Sequence, residues 1–128
     1  MSNLKKFEPS DAELNILQVL WRHQPATVKT VHEALAQKRE VGYTTILKQM
    51  QRMFDKGMVI REKSGKLHFY NAVPREQDIQ QRMTDRLVEK AFKGSAMRMV
   101  MQALGQNNTS KEELAALQKW LDQQKEEK

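Results

Sequence analysis

Gly42-Tyr43-Thr44-Thr45-Ile46-Leu47-Lys48-Gln49-Met50-Gln51-Arg52-Met53-Phe54-Asp55-Lys56-Gly57 is the stretch whose reading decides the fold. On a helical wheel of about 100° per residue its apolar residues gather on one side. Tyr43, Ile46, Leu47, Met50, Met53 and Phe54 fall within an arc of roughly 120°, the width of a core-facing stripe. Thr44, Thr45, Lys48, Gln51, Arg52, Asp55 and Lys56 take the other side. Gly57 stands where a helix closes in a left-handed residue. Thr, Lys, Gln and Arg are side chains that reach phosphates and base edges in a DNA major groove. The same polar face on an ordinary surface helix would only be solvated, so the flanking chain has to decide between the two.

Upstream, Ser10-Asp11-Ala12-Glu13 is a capping box: an N-cap hydroxyl with a carboxylate three residues on. A first helix follows, with Leu14, Leu17, Val19, Leu20 and Trp21 as its apolar contacts. It stops near His23-Gln24-Pro25, because proline cannot continue a helix. Ala26 passes through a short extended link, and Thr27 caps a second helix in which Val28, Val31, Ala34 and Leu35 recur at helical spacing. Residues 1–8 read as a loose basic lead-in.

Downstream the period changes from 3.6 to 2. Met58 to Lys63 and Leu67 to Val73 are short runs of β-branched and aromatic residues around a Ser64-Gly65 turn, the signature of a β-hairpin. Three helices and then a hairpin is the order of a winged helix-turn-helix. That order favours DNA as the partner of the Thr44-to-Arg52 face, and Arg61, Lys63 and Lys66 put positive charge on the hairpin's rim.

Pro74 ends the hairpin and opens a second part of about 55 residues. Arg75 to Phe92 is helical, with Ile79, Met83, Leu87, Val88, Ala91 and Phe92 on one seam. Gly94-Ser95 breaks the pattern. Ala96 to Leu104 resumes it, Gly105 to Asn108 reads as a loop, and Ser110 and Glu113 form a second capping box. A last helix carries Leu114, Leu117, Trp120 and Leu121 before a polar tail. So small a segment rarely supplies a sufficient core alone. The economical solution is a second copy, with Ile79, Met83, Leu87, Val100, Leu104, Leu114, Leu117, Trp120 and Leu121 as dimerisation residues. The expected architecture is mostly α with a small β-hairpin wing: a winged helix-turn-helix DNA-binding domain at 1–73 and a helical dimerisation domain at 74–128.

Composition agrees with this division of labour. The 128 residues carry a formal net charge of +6 and a pI near 9.7, a balance suited to a polyanion. Residues 1–73 hold 12 Lys+Arg against 7 Asp+Glu, and residues 74–128 hold 10 against 9, so the excess lies with the reading helix. The absence of Cys removes disulfides, thiolate metal sites and Cys nucleophiles. No signal-peptide pattern and no run approaching ~18 apolar residues is present, so a cytoplasmic protein without membrane insertion is expected.

His23, His32 and His68 lie on separate elements with no i, i+4 pairing and no acidic cluster at ligand spacing, which argues for surface or packing roles over zinc. Met97, Met99 and Met101 could hold a soft ion, but methionine is an ordinary filler of irregular interfaces. No Gly-rich phosphate loop and no nucleophile motif is present. No metal, no cofactor and no enzymatic activity are therefore expected.

Tyr43-Thr44-Thr45-Ile46 followed by Arg52-Met53-Phe54-Asp55-Lys56-Gly57 resembles the Tyr-x-Thr-(Val/Ile)…Arg-Leu-x-x-Lys-Gly pattern of the penicillinase repressor family (BlaI/MecI/CopY). Leu20-Trp21 and Ala91-Phe92-Lys93-Gly94 look like that family too, and the likeness covers roughly residues 7–121. The resemblance implies an N-terminal winged helix, a C-terminal helical dimerisation domain and repression of resistance or homeostasis genes. Two departures matter. The copper branch carries paired Cys-x-Cys motifs, which this chain lacks. The β-lactam branch is inactivated by proteolysis at an Asn-Phe bond, where this chain has Gln102-Ala103. Gln102 and Ala103 thus mark a candidate proteolysis region for a membrane-bound sensor protease, without the family's own bond.

The expected function is a dimeric, sequence-specific transcriptional repressor on a double-stranded operator with dyad symmetry. Thr44, Thr45, Lys48, Gln51, Arg52, Arg61, Lys63 and Lys66 would touch the DNA. The alternative is a ligand-sensing regulator or a protein-interaction winged helix without specific DNA binding.

Overall fold

Short-range chemistry sets most element boundaries. Ser10 Oγ accepts from the Glu13 amide at 3.2 Å while the Glu13 carboxylate accepts from the Ser10 amide at 2.9 Å, so helix α1 (Asp11–His23) starts on the predicted reciprocal cap. Thr27 Oγ1 accepts from the Thr30 amide at 3.2 Å and opens α2 (Val28–Ala36). Helix α3 (Tyr43–Asp55) closes as its last residues require. Gly57 has φ 80°, its amide donates to Phe54 and the Met58 amide donates to Met53. That bond pair is a Schellman close, and a side chain at Gly57 would strain it.

The computed structural model describes residues 7–106 and 108–127; of the expected basic lead-in, residues 1–6 lie outside them. Phe7, at the end of that lead-in, is half-buried against the core. Strands β1 (Val59–Ser64) and β2 (Leu67–Ala72) pair antiparallel, with Ser64 opposite Leu67. The turn is therefore Gly65-Lys66, one residue later than the Ser64-Gly65 turn expected from sequence, and Gly65 supplies its φ of +64°. Ala26 is more than a link: its amide donates to Tyr70 at 3.1 Å and its carbonyl accepts from the Tyr70 amide at 2.8 Å, bridging the first two helices to β2. Three further helices follow: α4 (Glu76–Ala91), α5 (Ala96–Gln106) and α6 (Lys111–Glu126).

One contiguous core joins α1, α2, α3 and the hairpin through residues such as Leu17, Leu20, Val31, Met50, Met53 and Tyr70. Ile16, absent from the expected contacts of α1, is fully buried there, whereas Leu14 is only half-buried. On α3 the expected stripe narrows. Ile46, Met50 and Met53 are buried and Leu47 and Phe54 half-buried, but Tyr43 is 46% exposed. Tyr43 is the first helical residue and meets the His32 ring edge-on at 5.8 Å between centroids.

The chain divides into two compact units, Met1–Thr84 and Asp85–Lys128, with the division inside α4. The Trp21 indole N–H donates to the Pro74 carbonyl at 3.0 Å, and Ile79 is 1% exposed; both belong to the first unit. Ile79, expected on the seam between protomers, is thus covered within one chain. In the second unit, Lys93 (φ 50°) and Gly94 (φ 89°) break α4 from α5, and Ser95 Oγ accepts from the Arg98 amide at 3.1 Å. Gly105 does not start a loop, since α5 runs on to Gln106. Asn107, in the expected loop, lies outside the described residues. Ser110 and Glu113 make the second reciprocal cap as expected.

Candidate nucleic-acid interface

The polar face of α3 is available because its apolar face is committed. With Ile46, Met50 and Met53 locked in the core, helical geometry turns Thr44, Thr45, Lys48, Gln51 and Arg52 outward, and all five are exposed. Thr44 and Thr45 sit in the first turn, and Lys48, Gln51 and Arg52 lie one to two turns on. The start of this helix differs from those of α1, α2 and α6. Ser10, Thr27 and Ser110 cap α1, α2 and α6 with side-chain oxygens. Gly42 caps α3 with no side-chain bond, and its first turn holds no acidic residue. Leading N–H groups of that kind, unscreened by a carboxylate, suit a phosphate oxygen.

The approach to that helix is held by His32. Its Nε2 donates to the Val41 carbonyl at 2.8 Å, and its ring meets Tyr43. The histidine packs the link between α2 and α3, in line with the packing role expected of it.

Not every cation near the face is free to meet a ligand. Lys56 Nζ lies 2.6 Å from Glu13 Oε2, tying the end of α3 to the first turn of α1. Glu13 is only 4% exposed. Burial pushes its carboxyl pKa up, but the Lys56 ammonium and the Ser10 amide outweigh that, and the group sits below its ordinary value of 4.5. Arg61, expected on the hairpin rim, instead lies over the Phe54 ring, 3.9 Å from its centroid. Lys63 and Lys66 do stand exposed at the hairpin tip. Among the described residues, Lys48, Arg52, Lys63 and Lys66 make no ion pair.

The hairpin also carries a face that the sequence reading passed over. Ile60 and Leu67 are both 55% exposed. They lie on the strand face opposite Val59 and Tyr70, as the pairing of Ile60 with Asn71 and Ser64 with Leu67 requires. The two-residue alternation would have found it once the register was known.

The second unit differs in kind. Among its described residues none is buried. Leu87, Met97, Met101, Leu114, Trp120 and Leu121 are exposed, Met97 to 68%. Val100, Leu104 and Leu117 are half-buried. Met97, Met101, Gln102 and Gly105 line one side of α5, beside a shallow hollow of about 350 Å³. Gln102 and Ala103 are both exposed and lie inside the helix. No helix among the described residues is long and apolar enough to cross a membrane.

Comparison with known proteins places these features in a family. The penicillinase repressor family profile matches residues 9–123. The chain is 25% identical over 118 residues to the methicillin resistance regulatory protein MecI of Mammaliicoccus sciuri, covering 92% of this chain and 96% of that protein. It is 34% identical over 87 residues to the transcriptional regulator BlaI of Mycobacterium tuberculosis, covering 66% of this chain and 63% of that one. It is 26% identical over 119 residues to the penicillinase repressor of Bacillus licheniformis, covering 93% of each. With a buried-backed helix, a hairpin wing and a match along nearly its whole length, this chain belongs to the penicillinase repressor family, whose members are transcriptional regulators and not enzymes.

Proposed function

We propose that the chain is a dimeric repressor that reads a double-stranded operator of dyad symmetry through α3. The observation that carries this reading is the exposed face of Thr44, Thr45, Lys48, Gln51 and Arg52 on a helix whose other face is locked into the core. The two threonines and the uncapped first turn take phosphate, and Lys48, Gln51 and Arg52 reach base edges. Lys63 and Lys66 rest on the sugar-phosphate backbone and add little sequence information. The exposed apolar face of Asp85–Lys128 is covered by a second copy, setting two reading helices one DNA turn or a multiple apart. Repression ends when a membrane-bound sensor protease cuts the chain in α5 near Gln102-Ala103. A protease needs extended backbone, so α5 has to open locally before the cut.

Selection of duplexes by the protein from a random-sequence pool tests the reading. Enrichment of a site with two inverted half-sites is expected. On that site Arg52→Ala should weaken binding by about 1–3 kcal/mol if the guanidinium is bidentate to guanine. If it grips phosphate instead, selected and random duplexes lose affinity alike. Unchanged affinity in both Lys48→Ala and Arg52→Ala would remove α3 from the interface, and recovery of no sequence at all would favour the protein-interaction alternative.

A further inference from the structure

Lys56, Arg61, Lys63 and Lys66 stand on the hairpin or just past the end of α3. By charge alone each is a candidate for DNA. The placement of Arg61 separates it from the lysines of the wing. In β1 it alternates with Ile60 and Glu62, so it shares the strand face of Val59, which is buried. Its cross-strand partner is Tyr70, one of the most deeply buried side chains. From that face the side chain runs toward α3, and its guanidinium carbon lies 3.9 Å from the centre of the Phe54 ring. Phe54 is itself half-buried against the core. Arg61 is half-buried, whereas Lys63 and Lys66 are exposed.

We propose that Arg61 is a positioning residue: stacked on Phe54, it holds the wing at a set angle to the reading helix, and it is not a contact to DNA. A guanidinium suits the task because it is planar, weakly hydrated and stacks on aromatic faces, which a lysine ammonium does poorly. The strut runs from the last turn of α3 to the third residue of β1. A change in its length or stacking would shift Lys63 and Lys66 relative to Lys48 and Arg52, and the two pairs would no longer meet their stretches of DNA together. The inference rests on the DNA-reading function proposed above.

The test compares Arg61→Met, Arg61→Lys, Phe54→Leu and the Arg61→Met/Phe54→Leu double variant. The readouts are binding to the selected duplex over a range of salt, and unfolding in urea. A strut predicts that Arg61→Met and Phe54→Leu each weaken binding by about threefold to tenfold. It also predicts that the double variant is no weaker than the worse single one, that Arg61→Lys behaves like Arg61→Met, and that Phe54→Leu flattens the slope of log K against log salt as much as Arg61→Met does, because either change lifts Lys63 and Lys66 from their phosphates. A phosphate contact predicts a different set: Arg61→Met flattens the slope by roughly 0.9, Arg61→Lys binds like the unvaried protein, and Phe54→Leu leaves affinity and slope alone. That set of results would overturn the proposal. If the unvaried protein selects no DNA, the function proposed above fails, and the unfolding cycle still decides the strut. Coupling between Arg61 and Phe54 in stability supports it, and additive losses overturn it.

Discussion

The two compact units have comparable numbers of helices and opposite interiors. Met1–Thr84 closes a core in which Leu17, Leu20, Val31, Met50 and Met53 are sealed from solvent. Asp85–Lys128 has no buried residue among those described, and Trp120 is 53% exposed. Hydrophobic content does not make the difference, since α5 alone carries three methionines, a valine and a leucine. Return of the chain does. In the first unit the hairpin brings Tyr70 back to Ala26, 44 residues earlier, and three helices and two strands enclose one volume. The second unit is, among its described residues, a run of helices with no sheet to close on. An apolar stripe that the chain does not cover needs a surface from elsewhere, and this is the physical basis for proposing a second copy.

The largest effect expected from that contrast follows removal of the last helix. A protein of residues 1–102 should be monomeric by sedimentation and should lose roughly 10²- to 10⁴-fold in operator affinity, because the second half-site is no longer tethered. A truncated protein that stays dimeric and keeps its affinity would place the interface elsewhere. Next come single core truncations. Leu20→Ala should destabilise by about 2–5 kcal/mol in urea at any protein concentration, as a cavity within one closed core does. Trp120→Ala should instead lower stability in a way that deepens on dilution, because association stabilises by mass action. A concentration-independent loss at Trp120 would mean that the second unit is covered by its own chain.

A smaller effect sharpens the contrast at the wing. The Lys63→Ala/Lys66→Ala variant should fold normally and flatten the salt dependence of binding by roughly 0.9 for each phosphate that is no longer neutralised. An unaltered slope would leave these lysines only the task of keeping the hairpin edge soluble. The smallest effect concerns Glu13. Its folded pKa lies below the ordinary 4.5, so its ionised form stabilises the first unit above that pH. The contribution is lost as pH falls through the folded pKa. Acid unfolding below pH 4.5 should therefore be shallower in Glu13→Gln than in the unvaried protein, while the second unit's helix content follows the same course in both. Parallel acid limbs would show that the Lys56 pair contributes nothing measurable.

Much of this molecule is written at short range. The two capping boxes at Ser10 and Ser110, the stop at Pro25, the close at Gly57 and the change of period after Met58 each involve residues within a few positions of one another. So does the sidedness of α3, which put Thr44, Thr45, Lys48, Gln51 and Arg52 on one exposed face. Backbone geometry alone relates such neighbours, and the sequence by itself determined them. Tertiary structure decided what depends on the path of the chain between distant residues. Lys56 turns to Glu13 across 43 positions and Trp21 to Pro74 across 53. Arg61 leaves the rim for Phe54, and Ile79 leaves the protomer seam for the interior of its own chain. No spacing rule connects these pairs. Each became a neighbour only when the core fixed the angle at which helices and hairpin meet, and that angle also decided which of the chain's cations remain exposed for a ligand.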